Sequence, residues 1–338
     1  VAFASRFAAG AGALARGALV LIALAALACL ALMWWWDYEP PHFDVASTAQ
    51  ARVAAKGGHL VTGTVTTSAL MTSAETLLEK RGGYLSNDRF PPGVMMDNVP
   101  NWEFGVLTAT RDLAQALRNQ FSRSQTQSVE DKDLQEADPL FSSPNDRWLL
   151  PSSESQYRKA IAHVDGYLAR LADDEQGNAQ FYARADNLAD YLATVSARLG
   201  SLSQRLSAAA GQVRMDTSLA GDPHAQQSKP TPSPRLVKTP WTKIDDNFYE
   251  ARGYTWALRE QLEAMRVDFA PILASKNAAV SLDQVIRELE ESQKGLGSPI
   301  VLNGTPFGFF ANHSLVMANY ISRANAAVID LRELLRRG

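Results

Sequence analysis

Residues 17–36 read GALVLIALAALACLALMWWW, twenty positions with neither a charge nor a proline. An α-helix rises about 1.5 Å per residue, so this stretch reaches roughly 30 Å, the thickness of bilayer hydrocarbon. Trp34, Trp35, Trp36 and Tyr38 close it. Amphipathic rings gathered at one end suit a membrane–water boundary. The reading is one transmembrane helix, with the lipid bilayer as partner over 17–36 and a body beyond Asp37.

The flanks set an expected direction. Arg6 and Arg16 precede the helix without any acidic residue, and Asp37, Glu39 and Asp44 follow it. Basic flanks stay in the cytoplasm. Segment 1–16 is therefore expected inside, with Arg16 at the inner boundary, and the body across the membrane in a Gram-negative periplasm. A cleaved signal peptide has a shorter apolar core ending in small residues, not three tryptophans. A lipoprotein box at Ala26-Leu27-Ala28-Cys29 is out of order, and the apolar run continues to Trp36. An uncleaved anchor fits best. The chain opens on Val1 rather than Met, which points to a start further upstream.

The chain has 338 residues, most of them beyond the anchor, enough for one large domain or two ordinary ones. Setting aside Arg6 and Arg16, the 33 basic residues fall to 31 against 36 acidic. That mildly acidic body argues against nucleic acid and against electrostatic docking on anionic lipid. Cys29 is the single cysteine and lies in the apolar stretch, which excludes an intrachain disulfide, a CxxC redox site and a cysteine-rich zinc site.

Periodicity beyond the anchor is helical, and the expected fold is all-α. Pro40-Pro41 end the membrane helix, and a tether runs over 37–63. A helix follows at 64–81, stopped by Gly82-Gly83. Segment 82–102 is rich in Pro, Gly, Asn and Asp, yet carries Phe90, Met95, Met96 and Trp102. Either this loop packs on its own bundle, or these four side chains bind a partner. Helices are expected at 102–122 and 154–172, with a polar, proline-punctuated segment between them. Ser152 or Ser153 caps the second of these, and a turn follows at 173–178.

The strongest helix begins at Phe181. Leu188, Leu192, Val195, Leu199, Leu202 and Leu206 step alternately by four and three, a heptad seam. So narrow a stripe packs on one antiparallel neighbour or on a second copy of the chain. The preceding helix is the nearer candidate and predicts a helical hairpin. Five prolines then mark a linker over 213–243, dividing a first half (64–212) from a second (244–338). The second half opens with a helix at 246–274 capped by Asp245 or Asp246, then another from Ser281 to Gly295. Segment 298–310 places Asn303-Gly304 between apolar runs, a β-hairpin signal that Pro306 weakens. It also carries Phe307 and Phe309, two further candidates for partner binding. The last helix runs over 311–336.

No pattern specifies catalysis. The five histidines, His42, His59, His163, His224 and His313, are scattered, and no HExxH, GxSxG or Walker loop occurs. No cofactor is expected. Asn312-His313-Ser314 places a base and a hydroxyl beside a Gly-rich segment, but Asn312 as a helix cap explains it more simply. Glu250, Asp245 and Asp246 are acidic residues at a helix start, which is ordinary. Tyr84, Trp102, Trp148, Trp241 and Trp256 suit a glycan groove, though scattered aromatics usually form core.

Several long stretches are distinctive: GGYLSNDRFPPG with NVPNWEFGVL (82–107), LPSSESQYR (150–158), QFYARADNL with LGSLSQRLSA (180–208), KTPW with DDNFYEARG (238–253), and ANHSLVMANYISRANAA (311–327). On these the chain resembles an uncharacterised family of proteobacterial membrane proteins, domain of unknown function 2333. The resemblance covers nearly all of the body. It implies a Gram-negative inner-membrane setting and lends no catalytic residues. The expected role is a scaffold or accessory subunit that contacts another membrane or periplasmic protein, or itself. The alternative is a cell-wall-acting enzyme or glycan-binding module.

Overall fold

The computed structural model describes residues 2–123, 129–173, 179–214 and 235–337, with side chains from Arg16 onward. Most of the turn expected at 173–178 and most of the linker expected at 213–243 lie outside the described residues. Among the described residues the fold is all-α apart from one two-stranded sheet. Helix α1, Ala2–Trp36, contains the apolar stretch. Its Arg16–Trp36 portion has a mean hydropathy of 2.5, none of it is buried, and it is long and apolar enough to cross a membrane.

Among the described residues ten α-helices form the body: α2 Val45–Ala55, α3 Thr64–Glu79, α4 Asn98–Ala116, α5 Lys132–Phe141, α6 Ser153–Leu171, α7 Ala185–Ser207, α8 Ile244–Asp268, α9 Ala270–Ser275, α10 Ala279–Ser292 and α11 His313–Arg336. The centre is the pair α4 and α8, which run parallel. Gly105 and Gly253 let them touch backbone to backbone. A Cβ on Gly105 would sit 2.1 Å from the Glu250 carbonyl oxygen, and one on Gly253 would sit 1.9 Å from that of Trp102. Trp102 packs on Trp256 at 5.3 Å within this seam.

Helix α3 runs antiparallel to α8. The Asp268 carboxylate, at the far end of α8, accepts the amides of Gly63 (2.8 Å) and Thr66 (2.7 Å), which open α3. Those amides have no partner within their own helix. The heptad seam is buried from Leu188 to Leu206. Phe181 lies before α7 and packs on Phe121 and Phe269, at 5.3 and 5.7 Å.

The neighbour of α7 is α11, not α6, so the expected hairpin does not form. Met317, Ile321, Ala324, Val328, Leu331 and Leu335 are buried on α11 and repeat the four–three spacing. Ser203 meets Ser322 at 2.6 Å, and Asp190 faces Arg336 at 3.8 Å, which makes the pair antiparallel. Helix α6 instead turns Tyr157, Ala160, Val164 and Leu168 inward against α3 and α5.

Other expectations change for local reasons. The tether holds α2, capped by Asp44, whose carboxylate accepts the Ser47 amide at 2.6 Å. The polar segment before α6 holds α5, with Leu134, Ala137 and Phe141 buried. Ser152 caps α6. Neither Asp245 nor Asp246 caps α8; Lys243 stands there with no side-chain cap. Strands β1 (Gln212–Arg214) and β2 (Arg235–Val237) pair antiparallel where a linker was expected. The hairpin expected at 298–310 reduces to one bridge, Asn303 to Asn312, because Pro299 and Pro306 withhold amide donors. Residues from both sides of 213–243 share one continuous core, so the two halves are not separate bodies.

Candidate functional site at the pole beside α1

Helices α3, α7 and α10 end, and α4, α6, α8 and α11 begin, at one pole of the bundle. That pole adjoins the end of α1. Glu39, three residues past α1, accepts Arg252 Nε at 2.6 and 2.7 Å. Arg252 is buried on α8, and its other nitrogens donate to the carbonyls of Ser292 (3.2 Å), Gln293 (2.9 Å) and Lys294 (2.9 Å). Those carbonyls close α10 and have no partner within it. One guanidinium therefore ties the stalk to α8 and α10.

The end of α3 makes the second attachment. The Arg81 guanidinium lies 4.3 Å from the Trp35 ring and 3.9 Å from the Tyr38 ring, a cation–π arrangement. A Cβ on Gly82 would stand 2.8 Å from the Trp36 ring. The following turn is pinned from α4. Buried Glu103 accepts the amides of Leu85 and Ser86, both at 2.8 Å, and pairs with Lys80 at 2.5 Å.

Four connections contribute to this pole: 80–97, 142–152, the described parts of the third (208–214 and 235–243) and 293–312. Each presents large apolar groups to solvent, among them Phe90, Met95, Trp148, Leu150, Trp241, Ile300 and Phe310. Phe90 meets Trp148 edge-on at 5.7 Å, so the first two connections adjoin. Phe307 and Phe309 are 103% and 97% exposed. Met96 is half-buried, and Met95 and Met96 share a groove of about 170 Å³ with Met33 and Trp34 of α1. Trp102 is different: at 2% exposure it is core, not a surface group. Helix α4 begins at Asn98, four residues earlier than expected, and carries Trp102 inward.

Beside the stalk is a cleft of about 400 Å³ lined by Asp37, Tyr38, Glu39, Tyr249, Arg252 and Leu296, with Trp102 at its base. Trp102 Nε1 has no hydrogen-bond partner.

The polar candidates do not converge. Asn312 caps α11, accepting the Leu315 amide at 2.9 Å. His313 Nδ1 accepts the Leu302 amide at 3.0 Å, and burial lowers its pKa. Ser314 is fully buried. Glu250 holds Arg205 through two bonds of 2.5 Å, and Asp246 holds Lys243 at 2.7 Å. Tyr84, Trp102 and Trp256 are core, whereas Trp148 and Trp241 are exposed, so these five do not line one groove. Among the described residues no group of three or more His, Cys, Asp or Glu side chains is placed to hold a metal ion.

The sequence reading missed Arg252, Leu149, Leu150, Ile300 and Phe310, and named Trp148 only as a candidate for a glycan groove. The signal for 148–150 was an apolar run directly before Pro151 and a capping serine.

An all-α body behind one apolar helix, with its loop-borne apolar groups gathered beside that helix, is the class of protein these features define. The chain belongs to the family described as an uncharacterized protein conserved in bacteria, DUF2333, whose model matches residues 10–338. No curated protein matches the chain, and no solved structure matches it.

Proposed function

We propose that this is a single-pass inner-membrane protein with a cytoplasmic N-terminal segment and a periplasmic body. It acts by contact, as a scaffold or accessory subunit of a membrane or envelope complex. One observation carries this reading: exposed apolar side chains concentrate at the pole beside α1, in loops pinned by buried charges. Adaptable methionines and aromatic groups suit such contacts. Of the polar residues that suggested chemistry, Asn312 caps α11, His313 accepts a backbone amide, and Glu250 and Asp246 are held in ion pairs.

Protease added to spheroplasts should digest the body and leave an N-terminal stub; a protected body would overturn the orientation. Affinity purification from native membranes should recover a partner. Met95→Asp combined with Met96→Asp should lose that partner with the body still folded. His313→Ala should retain it. The cleft at Tyr38 and Tyr249 is the observation that favours the other reading, a glycan-binding or cell-wall-acting protein. Loss of cellular function on Tyr249→Ala, with partner recovery intact, would support it.

A further inference from the structure

Every exposed aromatic residue among the described residues lies at the end of α1 or in the four connections of the adjoining pole: Trp34, Trp35 and Tyr38 in the first group, and Phe90, Trp148, Trp241, Phe307, Phe309 and Phe310 in the second. The opposite pole differs in kind. Its exposed large apolar residues are isolated aliphatic ones, Leu60, Val129, Val267 and Val280. Burial of an ordinary core gives no reason for such a split, because both poles are made of helix ends and loops.

The attachments fix the height of this pole. Arg81 stacks on Trp35 and Tyr38, Gly82 backs onto Trp36, and Met95 and Met96 share a groove with Met33 and Trp34. The loops therefore begin at the level of the tryptophan belt. Indole and phenyl rings at that level partition into the headgroup layer. A body held against the belt by direct contact keeps the exposed rings of its pole at the level of the lipid surface.

We propose that the pole is a membrane-docking surface: loops 80–97, 142–152 and 293–312 enter the headgroup layer of the leaflet that holds Trp34–Trp36. The body is then set on the bilayer like a monotopic protein, with α1 as one of several points of attachment. This inference rests on α1 spanning the membrane, as proposed above. It assigns lipid to the exposed aromatic groups of the pole, Phe307 and Phe309 among them, and leaves the groove of Met95 and Met96 beside α1 to the protein partner.

The test uses the full chain with Cys29→Ala and one introduced cysteine at a time: Phe309→Cys, Leu150→Cys, Val280→Cys or Leu24→Cys. Each variant carries an environment-sensitive fluorophore and is reconstituted into vesicles of phosphatidylethanolamine and phosphatidylglycerol. Unchanged circular dichroism melting checks the fold. Labels at 309 and 150 should be quenched by shallow spin-labelled lipid about threefold or more over the label at 280, which should remain open to an aqueous quencher. The label at 24 should be quenched by deep spin-labelled lipid. Labels at 309 and 150 as open to water as that at 280, with 24 lipid-quenched, would overturn the docking and leave the anchor standing. A label at 24 open to water would overturn both. Shielding of 309 and 150 from both quenchers would assign the pole to a second copy of the chain and also overturn the docking.

Discussion

Glu39 and Arg252 are 213 positions apart, and their side chains meet at 2.6 Å. The carboxylate is one-third exposed, and the guanidinium is almost wholly buried. The arginine also carries three carbonyls at the end of α10, so the two partners are not equivalent. Arg252→Met should destabilise the body by about 2–4 kcal/mol, because it strands buried acceptors and the stalk carboxylate. Glu39→Gln should cost about 1 kcal/mol, since the carbonyls keep their donor. Denaturant melts of both variants in detergent decide it. Equal losses would mean that the carbonyl contacts contribute nothing.

The α7–α11 pairing is checked by cross-linking. With Cys29→Ala, Ser203→Cys and Ser322→Cys should oxidise to an intramolecular disulfide. A product found only as a covalent dimer would return the heptad seam to the two-chain reading. Leu199→Ala on the same seam should cost about 2–5 kcal/mol, and Leu199→Asp should unfold the body.

The glycine contact at the centre is intolerant by geometry. Gly253→Ala places a methyl group in the space of the Trp102 carbonyl. Overpacking of this kind costs about 1–3 kcal/mol or more, so Gly253→Ala should lower the melting temperature sharply. Gly295→Ala is the control, because a Cβ there meets nothing within 4 Å.

His313 gives the loop before α11 a dependence on pH. Burial lowers its folded pKa below the ordinary 6.5. The unfolded chain therefore takes up the proton first. The stabilisation is complete above 6.5 and is lost as pH falls through the lower folded value. Protonated Nδ1 cannot accept the Leu302 amide. Hydrogen exchange at Leu302 should therefore accelerate on acidification beyond its intrinsic pH dependence, and His313→Asn should abolish that extra acceleration. An unchanged profile in the variant would remove histidine as the cause.

Helices α1, α3, α6, α10 and α11 were legible because each carries a long apolar period or a clear stop. Helices α2 and α5 were not, being short, with α5 containing Pro139. The partner of α7 was written in α11, where residues 317 to 335 repeat the same four–three steps. Nearness in sequence argued for α6 instead, but its inward tyrosines face α3 and α5. Of the site, Phe90, Met95, Phe307 and Phe309 stood out as apolar groups in turn-rich stretches. Arg252 did not, because its role depends on carbonyls of a helix some 40 positions away and on a stalk carboxylate before the body begins.

The pairing of α7 with α11 also sets a timetable for synthesis. Helix α7 ends at Ser207 and α11 begins at His313, so about a hundred residues are made while the leucine stripe has no mate. Long-range pairing of this kind slows folding and leaves apolar surface open in the meantime. The body can close only after its final helix has been made, so a ribosome stalled before that point would leave an aggregation-prone fragment behind α1 for quality-control proteases to clear.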